Sequence, residues 1–444
     1  MKKIGLAIVA LILIFVIYYI TAGSKQITKE MKQEVHKELI QLEDSGFKIN
    51  EQNSSKNKQH IVVTFQDINK ITTYFNNIGQ HISSSDIEIL KGMQMGVDIE
   101  YMPRAKDAVG IDIYPLKLPT SFYKDIREED KIIVTKIEKM IKDKLFLTHI
   151  DIDKLLSHFD GYVKDIDKKL EDNENTIHII TKGIKFNGTI KDEKIEDISQ
   201  KMDILSLEVT NELNISLSKI TSTVTNNNEN IAYSIKSFDI TNKADNPFVL
   251  SIDNITGSSQ DIPKNNLLDT ISKIKIHSIK FNDNGKKTTL NNISMKTSLN
   301  NINKKALEKL QQIASDNNSS FEQFMPLLKE IIKDNISIDI PNISVAKITN
   351  NSGKSFDGFK LKALIKVDKQ FDWKTLDNDP LSIINIIDAK VNIKASNELV
   401  NILSSDPQAM VMMMIIQPID KNGSKHYNIE FKKGSLKING KPLM

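Results

Sequence analysis

The chain has 444 residues, with 60 Lys and Arg against 57 Asp and Glu, a formal net charge of +3. At roughly 150 residues per domain this is enough for about three domains or two large ones. The even charge argues against a nucleic-acid-binding protein, which concentrates basic residues. With no cysteine, a disulfide framework, a thiol nucleophile, a Cys-ligated zinc site and a lipobox are all excluded. Hydrophobic residues at 39% and charged residues at 26% suit a folded body with a lean core. Abundant Asn and Ile with scarce Ala and Arg read as an AT-rich bacterial genome.

Ile4 to Ala22 is an apolar segment of nineteen residues, interrupted only by Gly5 and the mild polarity of Tyr18, Tyr19 and Thr21. About 20 such residues span a bilayer core. Lys2 and Lys3 precede it, and Tyr18 and Tyr19 fall where an interfacial aromatic belt sits. The best cleavage site, Thr21-Ala22-Gly23, matches the A-x-A pattern poorly. An uncleaved single-pass signal anchor over 1–23 is therefore expected in the bacterial inner membrane, held through residues 4–22, with the body in the periplasm. Lys25, Lys29 and Lys32 after the run weaken the positive-inside bias for this orientation.

Beyond the anchor, Ile27, Met31, Val35, Leu39 and Leu42 recur at helical spacing and predict a stalk helix from Ser24 to about Asp44, stopped by Gly46. Gly46 to Phe65 reads as a strand pair around the polar tract 53–59, and Ile71 to Ile82 as a short helix. Val97–Tyr101 and Val109–Leu118 are strand-like, with Pro103, Pro115 and Pro119 limiting regular pairing. Glu128 to Phe146 is an amphipathic helix with Ile132, Ile133, Ile137, Met140, Ile141 and Leu145 on one face. A second helix is expected from Asp153 to about Leu170. From Ile177 the period changes to two: Leu207 and Val209; Leu213, Ile215 and Leu217; Ile231, Tyr233 and Ile235, then Phe238 and Ile240; Ile274 and Ile276, then Ile279 and Phe281; Ile293 and Met295. Asn226–Asn228, Asp283-Asn284-Gly285 and Asn291-Asn292 are read as the turns of an antiparallel run with one apolar and one polar face.

Helices follow at Lys304–Ala314 and Ser320–Lys333, the latter with Ser320 and Gln323 as a capping box. Strands return at Ile336–Ile340, Ile343–Val345, Phe359–Val367 and Ala389–Ala395. A helix is expected from Asn397 to Leu403. Asp406-Pro407 opens another that runs to Ile416. Tyr427–Phe431 and Ser435–Ile438 close the chain as a hairpin. The fold class is α+β: a single N-terminal transmembrane helix, then a large antiparallel β-rich body with covering helices. Its regions are 1–23 (anchor), 24–175 (stalk helix and N-terminal α+β), 176–300 (antiparallel β-rich) and 301–444 (C-terminal α+β).

No motif carries a defined chemistry. Gly353-Lys354-Ser355 matches the tail of a phosphate-binding loop, but position 348 is Ile where the first Gly is required. S-x-x-K at Ser45/Lys48, Ser121/Lys124 and Ser344/Lys347 lacks the accompanying motifs and is expected by chance in a Ser- and Lys-rich chain. His149, Asp151 and Asp153 alternate. On a strand they share a face that suits a hard metal or an acid/base pair, and equally a solvated edge or a cap. Asp165 and Asp167 read the same way. The cluster Met410, Met412, Met413 and Met414, flanked by Ile415, suits either a buried helix or an apolar surface for a lipid or a protein partner. No catalytic, cofactor-binding or metal residue is assigned, and no cofactor is expected.

The strongest signal is terminal. Tyr427-Asn-Ile-Glu-Phe431 followed by Lys433-Gly434-Ser435-Leu436-Lys437-Ile438-Asn439-Gly440-Lys441-Pro442-Leu443 resembles the closing signature of the YdgA-like family of uncharacterised bacterial envelope proteins. In that family an apolar helix, a Gly-containing turn, a Tyr-led strand and a terminal hairpin come in this order. The resemblance implies an envelope role and supplies no catalytic residues. A non-enzymatic, lipid-handling or envelope-maintenance protein is the first expectation, by analogy with other anchored β-rich envelope proteins. It calls for an apolar groove of alternating Ile, Leu, Val and Met. A structural or assembly partner of an envelope protein is the alternative, and a hydrolase of envelope glycans or peptides the third.

Overall fold

The computed structural model describes residues 31–443 except 53, 54, 56, 78–86, 103, 105, 125–130, 172–175, 192, 193, 227, 228, 245, 315–320, 333, 334, 368–383, 406–409 and 411–414. The anchor 4–22, the stalk before Met31, the Ser320 capping box and lone Trp373 lie outside the described residues. Among the described residues no helix is long and apolar enough to cross a membrane. The body is mostly antiparallel sheet, in two compact units divided after residue 228.

The first unit opens with helix α1 (Met31–Asp44), which buries Leu39 and half-buries Val35 and Leu42. Gly46 ends it at φ +97, with its own site so tight that a Cβ would stand 2.6 Å from the Asp67 carbonyl oxygen. Strands β1 (Phe47–Gln52) and β2 (Lys58–Phe65) form the expected pair. Helix α2 (Ile68–Asn77) packs Ile71 and Phe75 into the same core. Strands β3 (Gln94–Tyr101) and β4 (Asp107–Lys117) follow. Pro115 is accommodated by a register shift, Gln94 facing Lys117 and Met95 facing Pro115, which is how a strand tolerates a residue without a ladder donor.

Helices α3 (Thr120–Lys124) and α4 (Lys131–Lys142) come next. The period-3.6 face of α4 buries Ile133, Ile137, Met140 and Ile141 against Ile166, Leu170, Ile177, Ile179, Leu207 and Val209. Strand β5 (Thr148–Asp153) pairs with β4 and with β6 (His158–Val163), and β6 with β9 (Lys185–Lys191). Strands β7 (Ile166–Glu171) and β8 (Thr176–Lys182) form a hairpin. The 16-residue β10 (Lys194–Val209) collects this sheet: its first half pairs with β9, its second half with β8, and its other edge with β11 (Leu213–Thr225).

The helix expected from Asp153 to Leu170 is corrected to β6 and β7. Phe159, Gly161 and Val163 alternate inward while His158, Asp160 and Tyr162 point out. The apparent helical spacing came from Leu155, which is 84% exposed, and Leu156, which sits at φ +55 in the intervening turn. Long-range pairing overrides a short local period of this kind.

The second unit is a meander of β12 (Asn230–Asn242), β13 (Phe248–Lys264), β14 (Leu267–Asp283), β15 (Lys286–Asn303), β16 (Ser337–Thr349), β17 (Ser355–Val367), β18 (Ile387–Ser396) and β20 (Ser424–Lys432). Two short strands, β19 (Ile419–Lys421) and β21 (Ser435–Ile438), share the far edge of β20, and β22 (Lys441–Pro442) closes the chain. Helices α5 (Lys304–Ala314) and α6 (Phe321–Ile332) connect β15 to β16, and Ala306 and Ile331 pack on Leu268 and Ile302. Helix α7 (Asn397–Leu403) starts at Ser396, whose Oγ accepts from Leu399 N. Asn439 and Gly440 take positive φ in the expected last turn. Asn439 also accepts from Asn428 N and donates to the Gln417 carbonyl, at 2.8 and 2.6 Å.

The Asn291-Asn292 turn is corrected too: both residues lie inside the unbroken β15. Lys236, Asn254, His277, Asn292, Ala346 and Gly358 fall in one row across six strands, and each is left out of the residue-by-residue pairing. Asn254 and Asn292 take φ +50 and +53 there, a conformation that Asn tolerates best after Gly. At this row every strand spends one residue without changing which face its apolar side chains occupy. Asn292→Gly is therefore expected to leave thermal stability unchanged, whereas Asn292→Val costs about 1–2 kcal/mol in urea unfolding because a β-branched residue resists positive φ. In the first unit, Ile133→Ala at a fully buried position is expected to cost about 2–5 kcal/mol by the same measurement.

Candidate functional site

The row of unpaired positions governs the apolar face of the second unit. On one side of it Phe238, Ile252, Ile279, Leu290, Ile348 and Phe356 stand directly opposite one another from β12 to β17. On the other side Ile235, Ile255, Ile276, Ile293, Val345 and Phe359 do the same. A third ladder joins Ile274, Met295, Ile343, Leu361, Ile393 and Tyr427. Tyr233 extends it by lying where a Cβ on Gly257 would be. Such cross-strand apolar pairs are the unit of sheet stabilisation.

Cover over this face is uneven. At β16 and β17, Val345, Ile348 and Phe356 are buried, with Leu399 of α7 packed against their cluster. From β12 to β14 the ladder side chains are only half-buried, and Ile231 and Phe281 on the same face are 39% and 41% exposed. Phe248 and Phe281 meet with ring centroids 6.1 Å apart at one end of the open stretch. An apolar expanse of this kind marks an interaction surface more often than an ordinary exterior.

The expected methionine surface is seen only at its ends. Met410 and Ile415 are helical and 42% and 49% exposed, while Met412, Met413 and Met414 lie outside the described residues.

The first unit holds the densest polar chemistry, and it includes the predicted His149 and Asp151. Antiparallel register sets His60, Asp98, Asp112, His149 and Tyr162 side by side on β2 to β6. His149 Nδ1 lies 2.6 Å from Asp112 Oδ1 and its Nε2 3.2 Å from Asp151 Oδ2. Arg104 Nη2 is 3.4 Å from Asp151 and its Nε 3.7 Å from Asp107. His60 Nδ1 is 2.5 Å from Asp98, which also accepts from Tyr114 Oη at 2.8 Å and Lys144 Nζ at 2.9 Å. Asp153 faces Asp107 across β4 and β5, and its carboxylate is taken up by the following loop. It accepts from Ser157 N, Ser157 Oγ and His158 N and pins the loop before β6. Asp167 pairs with His178 and Lys182 on the exposed β7–β8 hairpin, and these two hold its carboxyl down at about 2.

The network interlocks carboxylates with imidazole, guanidinium and ammonium partners. Beside it, the Ser157 hydroxyl and the Asp153 carboxylate meet the same nitrogen of His158. Among the described residues no group of three or more His, Asp or Glu is arranged to hold a metal. Burial pulls the His149 pKa down, but the Asp112 hydrogen bond and the Asp151 charge outweigh it and raise the pKa above its ordinary value. Burial likewise pushes Asp98 up, and Lys144, His60 and Tyr114 together bring it below the usual range. Sequence reasoning missed Arg104, Asp98, Asp112, His60 and Lys144, which come from separate strands and turns with no common spacing.

The family match comes from the other end of the chain. A family model described as a bacterial protein of unknown function, DUF945, matches residues 156–444. The chain belongs to the DUF945 family. No curated protein matches it. The DUF945 match begins just before β6, so it takes in all three apolar ladders and leaves out His60, Asp98, Asp112, His149 and Asp151.

The raised His149 pKa gives a signed expectation. Stability from the charged imidazole is fully present below the unfolded pKa, about 6.5, and is lost as pH rises through the higher folded value. The urea midpoint of the first unit should therefore fall as pH rises above about 6.5. His149→Gln should flatten that dependence.

Proposed function

We propose that this DUF945 protein is a membrane-anchored envelope protein of the YdgA-like type. It is held in the inner membrane through residues 4–22, with its body in the periplasm, and it shelters lipid acyl chains non-enzymatically on the apolar face of its second unit. The observation that carries the reading is the set of aligned ladders, half-buried from β12 to β14. A packed core would cover such side chains, whereas a surface that receives acyl chains exchanges water for hydrocarbon at roughly 25 cal/mol per Å². The placement of these ladders inside the family match, and of the charge network outside it, supports the face as the part that family members share. The apolar run Ile4–Ala22 supports the anchor.

Native mass spectrometry with lipid extraction on the purified full chain tests this. Stoichiometric phospholipid is expected. Ile276→Asp with Ile279→Asp places two charges on the open ladders and should reduce bound lipid at least about tenfold, since a buried unpaired charge costs more than the factor requires, while circular dichroism stays native. A lipid-free, stable monomer sinks the proposal. A stoichiometric protein in place of lipid would identify the face as an assembly surface.

A further inference from the structure

The polar face of the second-unit sheet gathers a local excess of positive charge. One cross-strand row runs Thr256, Lys275, Ser294, Ser344, Lys360, Lys394. The next row sets Lys273 opposite Lys296 and Asn342, with Lys362 beside them on β17. All six lysines are exposed, and neither row contains an acid. Most carboxylates around them pair with other lysines, Asp253 with Lys280 at 2.9 Å, Asp357 with Lys347 at 2.6 Å and Glu430 with Lys390 at 2.8 Å; Asp357 also feels Lys394 at longer range, and Asp339 lies in the next row. Lys273 faces Lys296 directly, and Lys360 faces Lys394. Like charges in directly opposed positions destabilise a sheet. In a chain of near-even charge, six lysines in two adjoining rows that hold no acid make a local excess of positive charge.

We propose that this face docks on the anionic phosphate headgroups of a lipid bilayer. Strands sit about 4.8 Å apart and alternate residues about 6.8 Å apart along a strand, so the lysines cover a patch roughly 19 Å across. Lysine ammoniums are point charges without the bidentate fork of arginine, which suits a field of mobile headgroups better than one fixed phosphate. Clusters of four to eight basic residues are what anionic leaflets attract. The two rows hold no Phe, Tyr or Trp, the stacking platforms on which single-stranded nucleic acid depends. The choice of a bilayer over a soluble polyanion rests on the anchored reading above. The charge pattern itself does not.

The test holds the full chain in phosphatidylcholine nanodiscs, so that its own anchor is occupied, and adds vesicles in trans. Cosedimentation is expected with vesicles containing phosphatidylglycerol and not with phosphatidylcholine alone, and it should vanish in high salt. Neutralising each lysine should weaken binding about fivefold, so Lys273→Gln with Lys275→Gln and Lys296→Gln should weaken it on the order of a hundredfold. Lys286→Gln with Lys287→Gln, outside the two rows, should not. Absence of binding by the wild type, or a triple variant that binds equally well, overturns the proposal. So does capture of soluble polyphosphate without capture of vesicles. A chain that stays in solution during nanodisc assembly indicts the anchor instead, and lipid content by native mass spectrometry reads the apolar face separately.

Discussion

The second unit depends on keeping one face apolar along strands that are 13 to 18 residues long. Side chains alternate strictly along a strand, so six strands can change phase and still present a common face only if all change at the same place. The row from Lys236 to Gly358 is that place. Asn254 and Asn292 make the adjustment by visiting positive φ, and Tyr233 fills the space that Gly257 leaves. The apolar ladders, the cover supplied by α7 and the mostly polar opposite face follow from this shared shift.

The two units handle polarity differently. The first buries its helices and sheet around Ile133, Ile137, Ile177 and Ile71 and gathers charge on one sheet face as an interlocked array. There Asp98 and Asp112 stand directly opposite each other. Each has an imidazole within hydrogen-bond distance, so the repulsion of two facing carboxylates is offset within the fold. In the second unit the facing pairs are lysines, Lys273 with Lys296 and Lys360 with Lys394, and among the described residues only Lys394 has a carboxylate, Asp357, acting on it at longer range.

Much of this architecture was legible in residue order. The strand run from Ile177, helix α5 with its bounds, most of the face of α4 (Ile132 is exposed and Leu145 lies past its end) and the closing Asn439-Gly440 turn follow from spacing alone. The phase shift is also written in the sequence: Ile231, Tyr233 and Ile235 are followed by Phe238, and Ile274 and Ile276 by Ile279. Taken one strand at a time, a three-residue step looks like a break, and in Asn291-Asn292 like a turn. Only the register of neighbouring strands reveals one continuous row. The segment from Asp153 to Leu170 misled for a related reason, since Ile152, Leu155, Leu156 and Phe159 mimic a helix while two of them lie in a turn. The His149 partners were out of reach because Asp112 and Arg104 arrive through pairing, not through local spacing.

The shared row also bears on how such chains can change length. Deleting Ser294 would leave the rest of β15 with Met295 and Leu299 on the lysine face, because a one-residue slip reverses every later side chain, whereas deleting Asn292 would leave β15 one residue short of the row its neighbours share. The same holds for any strand from β12 to β17. Single-residue insertions and deletions are tolerable only in the connections, such as the Asp283–Lys286 and Asn350–Lys354 turns or the long α5–α6 excursion. Within the strands, descent is confined to exchanges of residue type, so members of the lineage can drift far in composition while their strand lengths stay fixed to the residue.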